Sequence, residues 1–144
     1  MMFVFDNDQT KNEFVTKNPQ TSSQFILVNI QDGQLVKFEG DIKNLDLTEL
    51  NFIGKITKIG DNVFKDNTSL LSLTLPYSVK EIGNNAFDGA TNLTKIVIDN
   101  YQIVKISNNS FENVNENLYI YVPSSVLEIY KQTYEEFNLK IANK

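Results

Sequence analysis

One hexapeptide pattern, Ile-x-x-x-x-Phe, occurs three times in the middle of the chain: IGDNVF at residues 59–64, IGNNAF at 82–87 and ISNNSF at 106–111. Its phenylalanines, Phe64, Phe87 and Phe111, are 23 and 24 residues apart. An alternating apolar run ends eleven residues after each of them: LTL at 73–75, IVI at 96–98 and IYV at 120–122. A period of about 20–29 residues with an L-x-x-L-x-L segment in each unit is typical of a repeat solenoid. The stretch 47–123 therefore decides the fold.

We predict an α/β solenoid of the leucine-rich-repeat class, a right-handed coil with repeats of about 23 residues. The predicted strands are 47–52, 70–75, 93–98 and 117–123. Alternate apolar residues of each strand should face the core, because successive strand side chains point to opposite sides; these pairs are Leu50/Phe52, Leu73/Leu75, Ile96/Ile98 and Ile120/Val122. The three phenylalanines should stack as a column on the opposite wall of the coil, and Asn62, Asn85 and Asn109 should hydrogen-bond the turns there.

Both ends of such a coil need closing for solubility. Residues 25–46 contain two β-rich runs around Asp32-Gly33, which predicts a hairpin cap. At the other end, Ser125 and Glu128 match a capping box that opens a helix. The helix places four apolar residues on one face, which predicts a helical cap over 124–144; these residues are Val126, Tyr130, Tyr134 and Phe137.

The domain organisation follows from these segments. Residues 1–24 are polar and are expected to be irregular. A single leucine-rich-repeat domain is predicted over 25–144, with the hairpin cap at 25–46, the repeats at 47–123 and the C-terminal cap at 124–144.

Composition excludes several function classes. The 144 residues contain no Cys and no His, so disulfides, cysteine nucleophiles and the commonest general base are missing. With a net charge of −5, nucleic-acid binding is not expected. No segment has the roughly 20 apolar residues that span a bilayer, so no membrane insertion is expected. The N-terminus lacks the basic and apolar regions of a signal peptide. We expect no enzyme activity, no cofactor and no metal site.

The outward residues of the strands are the candidate binding site, because repeat proteins bind through extended surfaces of this kind. Tyr119 and Tyr121 are the strongest candidates, since tyrosine combines a large contact area with a polar tip. The opposing interpretation is that these two rings pack under a cap. The whole predicted strand face consists of Glu49, Asn51, Ser72, Thr74, Lys95, Val97, Tyr119 and Tyr121.

The repeat resembles a known family. The run L-x-x-L-x-L-P-x-x-V-x-x-I-G-x-x-A-F at 70–87 is similar to the BspA-type leucine-rich repeat, and IYVPSS at 120–125 before a Tyr-rich helix is similar to that family's C-terminal cap. The resemblance covers about 47–137. The family's Cys position falls on Asn67, Ala90 and Val114, and Ser107 replaces its Gly. The resemblance implies surface proteins and adhesins, without catalytic residues.

Two functions remain open at this stage. The first is a non-enzymatic module that binds a protein or glycan in adhesion or surface recognition, at the cell surface or after secretion. The second is a structural or decoration component of a virion or surface assembly, with a virion or cytoplasmic location. Whether the chain is a monomer or self-assembles stays open between them.

Overall fold

The computed structural model describes residues 3–5, 12–17, 25–50 and 55–144, with side chains from residue 27 onward within those ranges. One α-helix, α1, spans Leu127–Thr133, and short 3-10 helices span Leu47–Leu50, Ser124–Val126 and Glu135–Phe137. The strands are β1 (Phe3–Phe5), β2 (Asn12–Lys17), β3 (Phe25–Gln31), β4 (Gln34–Glu39), β5 (Asn44–Asp46), β6 (Lys58–Ile59), β7 (Ser72–Leu75), β8 (Glu81–Ile82), β9 (Lys95–Ile98), β10 (Lys105–Ile106), β11 (Tyr119–Val122) and β12 (Lys140–Asn143).

The repeats build two sheets at once, as a solenoid does. Strands β5, β7, β9, β11 and β12 are neighbours in that order in a five-stranded parallel sheet. The two-residue strands β6, β8 and β10 pair in parallel in a second sheet, which has seven strands. Each full repeat thus contributes one longer strand to the first sheet and one short strand to the second.

The apolar residues of the repeats form one hydrophobic core. The inward pairs predicted for the last three repeat strands, Leu73/Leu75, Ile96/Ile98 and Ile120/Val122, are all buried. From the second sheet, Ile59, Ile82 and Ile106 join the same cluster. Burying each such side chain contributes about 1.5–3 kcal/mol, so the repeated apolar positions stabilise every coil in the same way.

The predicted phenylalanine column is confirmed. The rings of Phe64 and Phe87 stack with centroids 5.3 Å apart, and those of Phe87 and Phe111 with centroids 5.1 Å apart. Phe38 extends the column, with its ring tilted against Phe64 at 5.3 Å. One aromatic ring per coil therefore holds successive coils in register.

The asparagines of the repeat have a conformational role that differs from the predicted one. Asn62 and Asn85 have left-handed backbones, with φ of 63° and 54°. Asparagine tolerates this region better than most residues, which explains its recurrence. Asn109 is not left-handed, and its buried side-chain oxygen has no hydrogen-bond partner among the described residues. The turns are joined between coils by backbone bonds instead, such as that from the Phe64 amide to the Ala86 carbonyl.

The hairpin predicted around Asp32-Gly33 is confirmed as β3 and β4. Both turn residues have positive φ, 50° for Asp32 and 78° for Gly33, as a tight two-residue hairpin requires. Strand β4 then pairs in parallel with β6, which joins the hairpin to the repeats.

The expectation that residues 1–24 are irregular is wrong for the described part of that segment. Strands β1 and β2 pair with each other and β2 pairs with β3, all antiparallel. Strand formation depends on an available partner edge more than on local polarity, and β3 supplies that edge.

The first repeat strand lies earlier than the predicted 47–52. Strand β5 is Asn44–Asp46, and the buried residues around it follow Ile42-x-x-Leu45-x-Leu47. Leu45 pairs with Leu73, 28 residues on. Residues 47–50 form a 3-10 helix, and Phe52 lies outside the described residues. The leucine spacing alone fits a first strand at 44–46 as well as one at 47–52. The first repeat is longer than the later ones, so counting back 23 residues from β7 does not lead to β5.

The C-terminal segment packs on the last coil through the predicted apolar face. Val126, Tyr130 and Tyr134 are buried and Phe137 is half-buried. The α-helix is shorter than expected, and neither α1 nor the 3-10 turn before it has a side-chain cap, so the predicted capping box of Ser125 and Glu128 is not formed. Strand β12 then adds to β11 in parallel.

Two tyrosine hydroxyls bind the backbone beside β10. The Tyr130 hydroxyl accepts a hydrogen bond from the Val104 amide at 2.9 Å. The Tyr134 hydroxyl accepts one from the Ile106 amide at 3.0 Å and donates to the Val104 carbonyl at 2.5 Å. Burial raises the pKa of both phenols, and the backbone hydrogen bonds oppose that shift. These bonds satisfy backbone groups that would otherwise face an unpaired sheet edge.

None of the helices in the described parts of the chain combines the length and apolar character needed to cross a membrane.

Candidate functional site

The outer side of the five-stranded sheet, which we call the strand face, carries two rows of side chains in register. The strand pairings align each row across all five strands. The first row is Asn44, Ser72, Lys95, Tyr119 and Lys140; the second is Asp46, Thr74, Val97, Tyr121 and Ala142. Because the residues between them point into the core, the two rows are the exposed or half-buried positions of these strands.

Six of the eight predicted site residues lie together on this face: Ser72, Thr74, Lys95, Val97, Tyr119 and Tyr121. Glu49 does not, because residues 47–50 form a 3-10 helix after β5. It is exposed but belongs to neither row, so its assignment to the strand face is wrong. Asn51 lies outside the described residues.

The sequence prediction missed four members of the strand face. Asn44 and Asp46 occupy the places assigned to Glu49 and Asn51, and the apolar spacing Ile42-x-x-Leu45-x-Leu47 is the signal that locates them. Lys140 and Ala142 come from β12, which pairs with β11 as if it were a further repeat strand. No repeat pattern in the sequence predicts the pairing of β12 with β11.

A cluster of two lysines and two tyrosines forms the C-terminal half of the strand face. The rings of Tyr119 and Tyr121 are 6.2 Å apart between centroids. The Lys95 ammonium lies 5.7 Å from the Tyr121 ring centroid, and the Lys140 ammonium lies 5.8 Å from that of Tyr119. Each pair is within the range of a cation–π contact. We refer to Lys95, Tyr119, Tyr121 and Lys140 as the lysine–tyrosine cluster.

Three of the four residues of the lysine–tyrosine cluster are exposed to solvent, and Tyr121 is half-buried. Tyr119 keeps 41% of its surface exposed, and Lys95 and Lys140 are exposed. Strand β12 lies beside Tyr119 without covering it, so the alternative in which the cap buries both rings does not apply to Tyr119. Within the described residues neither lysine has a carboxylate partner, although the Lys140 ammonium donates to the Glu116 carbonyl.

The N-terminal half of the strand face is polar and internally bonded. The Ser72 hydroxyl donates to the Asn44 side-chain oxygen at 2.7 Å. The Asp46 carboxylate accepts from both the amide and the hydroxyl of Thr48, at 2.9 and 2.5 Å. Because these groups already have partners, new contacts would gain little there. The strongest contact potential of the face therefore lies in the lysine–tyrosine cluster.

Nothing in the described ranges gathers three or more His, Cys, Asp or Glu side chains that could hold a metal ion. The strand face offers aromatic area, ammonium groups and hydroxyls. The predictions of no metal and no cofactor stay predictions.

One protein family matches the chain. The sequence profile described as a BspA type leucine rich repeat region matches residues 41–143, in six copies, which is more than half of the 144 residues. The match begins just before β5, in agreement with a first repeat strand at Asn44–Asp46.

Among solved structures, the chain is similar to a leucine rich cell surface protein from Faecalibacterium prausnitzii A2-165, with 21% sequence identity and a TM-score of 0.40. The likeness covers 91% of this chain and 29% of that chain, so this chain spans less than a third of the other's length. A comparison with curated proteins finds no match.

Proposed function

Because the chain belongs to the BspA-type leucine-rich-repeat family, we propose that it is a non-enzymatic interaction module that binds a protein or a glycan through its strand face. The observation that carries this proposal is the exposed lysine–tyrosine cluster. The module would serve adhesion or surface recognition, with the chain located at the cell surface or secreted.

The lysine–tyrosine cluster has the properties of an interaction hot spot. Tyrosine is enriched among the residues that dominate binding energy, and two adjacent rings give a large contact area. The cation–π contacts contribute about 0.5–1 kcal/mol each at exposed sites and restrict the rings before a partner arrives. Less conformational freedom is then lost on binding. The bonded polar half of the face would act as the surrounding rim.

The rest of the fold supports this division of roles. We propose that the β3–β4 hairpin closes one end of the coil and that the C-terminal segment closes the other. The pairing of β4 with β6 and the hydroxyl bonds of Tyr130 and Tyr134 support these two caps. The right-handed coil and the single domain over 25–144 stay predictions. The general preference for right-handed crossovers between parallel strands favours the right-handed coil.

The test is a binding screen of the purified chain against extracellular-matrix proteins and a glycan array. Each ligand found would then be measured with the variant Tyr119→Ala/Tyr121→Ala. The control is Ile129→Ala, which removes an exposed apolar side chain of α1 that is not on the strand face.

We expect Tyr119→Ala/Tyr121→Ala to weaken binding about tenfold or more, since a hot-spot truncation costs upward of about 1–2 kcal/mol. The control should bind as tightly as the wild-type chain. If every ligand found binds with unchanged affinity after loss of Tyr119 and Tyr121, the strand face is refuted as a binding site.

A further inference from the structure

Two tyrosines outside the strand face are the most exposed aromatic residues of the described chain. Tyr77 is 70% exposed and Tyr101 is 71% exposed. Tyr77 follows the end of β7 and Tyr101 follows the end of β9, so the two tyrosines belong to successive coils. They line one groove of about 540 Å³ together with Lys55, Lys80, Asp99 and Gln102.

The floor of this groove is held by buried polar side chains. The Ser78 hydroxyl donates to the Ile56 carbonyl at 2.6 Å, and the Asn100 amide donates to the Val79 carbonyl at 3.0 Å. Each bond ties the loop after a strand to the preceding coil. The backbone next to Tyr77 and Tyr101 is thus anchored, while both rings project into solvent. A preorganised aromatic pair of this kind loses little freedom on binding.

The groove is positively charged although the chain as a whole carries −5. Within the described residues, Lys55 and Lys80 have no carboxylate partner. The one acid in the lining, Asp99, is paired with Lys144 at 2.6 Å, which offsets its charge. The groove therefore favours an anionic ligand.

The shape of the lining distinguishes between classes of anion. Apart from the two tyrosines, every lining residue carries a polar or charged group, so no aliphatic residue forms a pocket for the buried side-chain anchors that dominate protein interfaces. Single-stranded nucleic acid needs a continuous basic track beside its stacked bases, and two lysines do not make one. Flat rings on successive coils suit the apolar faces of sugar units, and the two ammonium groups suit carboxylates.

We propose that this groove binds a carboxylate-bearing sugar chain, with Tyr77 and Tyr101 stacking on sugar rings and Lys55 and Lys80 pairing with the carboxylates. No residue of the groove belongs to the two rows of the strand face, so this site is independent of the function proposed above.

The test is a titration of the full isotope-labelled chain, followed by amide chemical shifts. The probe is a short oligogalacturonate, compared with a neutral maltose oligomer, a short polyglutamate peptide and a thymidine oligonucleotide. Two variants remove the proposed contacts: Tyr77→Ala/Tyr101→Ala, and Lys55→Gln/Lys80→Gln. All four side chains are exposed, so we expect both variants to fold. The matched control is Tyr119→Ala/Tyr121→Ala.

We expect oligogalacturonate to shift the amides around Tyr77 and Tyr101, and the first variant to weaken that binding about tenfold or more. The lysine variant should weaken it and flatten its salt dependence. The control should bind like the wild-type chain, which separates this site from the strand face. The neutral sugar, the peptide and the oligonucleotide should all bind more weakly.

Three outcomes would overturn the proposal. One is no shift at these amides up to about 10 mM oligogalacturonate, where a site with a Kd near 1 mM would be mostly occupied. Another is equal or tighter binding of the peptide or the oligonucleotide, which would show that charge alone is recognised. The third is binding that depends on Tyr119 and Tyr121 instead of Tyr77 and Tyr101.

Discussion

Gly60 lies where the first repeat approaches β4 of the hairpin too closely for a side chain. A Cβ atom there would be 2.5 Å from the Leu35 carbonyl oxygen and 2.8 Å from the Gln34 side-chain nitrogen. Its backbone is not left-handed, so the requirement is steric and not conformational. The same position in the third repeat is Ser107, which accommodates a side chain. The glycine of the repeat pattern thus has a packing role that differs between coils.

We therefore expect Gly60→Ala to lower the free energy of unfolding by about 1–3 kcal/mol, because overpacking forces the backbone of β4 to move. The matched control is Ser107→Ala, which should change it by no more than about 0.5 kcal/mol. Urea unfolding of the two variants measures both values. Equal stabilities for the two variants would show that the close approach at Gly60 carries no cost.

The buried hydroxyls of Tyr130 and Tyr134 make stability depend on alkaline pH. Burial raises the pKa of both groups above the ordinary tyrosine value of about 10. The neutral phenols are therefore the form that the folded state favours. Their contribution is fully present below about pH 10, and it is lost as the pH rises through the raised folded-state pKa.

We expect the unfolding free energy of the wild-type chain to fall above about pH 10. The variant Tyr130→Phe/Tyr134→Phe should be less stable at neutral pH by about 1–3 kcal/mol for each buried backbone group left unpaired. Its stability should then fall less steeply with alkaline pH. Urea unfolding between neutral and alkaline pH measures both curves, and parallel curves would contradict this role of the hydroxyls.

At the scale of the elements, local patterns predict the middle of the coil and fail at its start. Strands β7, β9 and β11 lie within the predicted segments, because alternation, spacing and the phenylalanine column all indicate the same register. Around residue 45 two leucine patterns overlap, and only pairing with β7 selects between them. For the same reason the sequence pattern assigns Glu49 to the strand face and misses Asn44 and Asp46.

Other elements depend on partners that are remote in the sequence. Strand β1 pairs with β2, and β2 pairs with β3. Strand β12 pairs with β11. The lysine–tyrosine cluster could be predicted only in part, since Lys140 reaches Tyr119 through that last pairing. The exposure of Tyr77 and Tyr101 likewise depends on how successive loops lie on the coil, which no periodicity specifies.

The corrected register of the first strand has a direct test. Leu45 is only 5% exposed and pairs with Leu73, so Leu45→Ala should cost about 2–5 kcal/mol of unfolding free energy. Glu49 is exposed, so Glu49→Ala should change stability by no more than about 0.5 kcal/mol. Urea unfolding distinguishes the two registers. If Leu45→Ala left the free energy of unfolding unchanged, the first strand would have to be the predicted one at 47–52.

At the scale of the whole molecule, the open question is whether coils or caps of different copies stack. An interaction module should be monomeric, and the net charge of −5 opposes close association of copies. We expect size-exclusion chromatography with light scattering to give the mass of one chain at all concentrations tested. A mass that grows with concentration would favour the alternative of a virion or surface-assembly component.

The repeated residues hold the coil together, whereas the lysine–tyrosine cluster is free to bind. Denaturant unfolding of Tyr119→Ala/Tyr121→Ala beside Phe87→Ala tests this most directly. Phe87 is completely buried in the ring column, so its loss should cost about 3–5 kcal/mol. The tyrosine variant should lose about 1–2 kcal/mol, because it removes two cation–π contacts worth about 0.5–1 kcal/mol each. A loss close to that of Phe87→Ala would place both tyrosines in the core and contradict the claim.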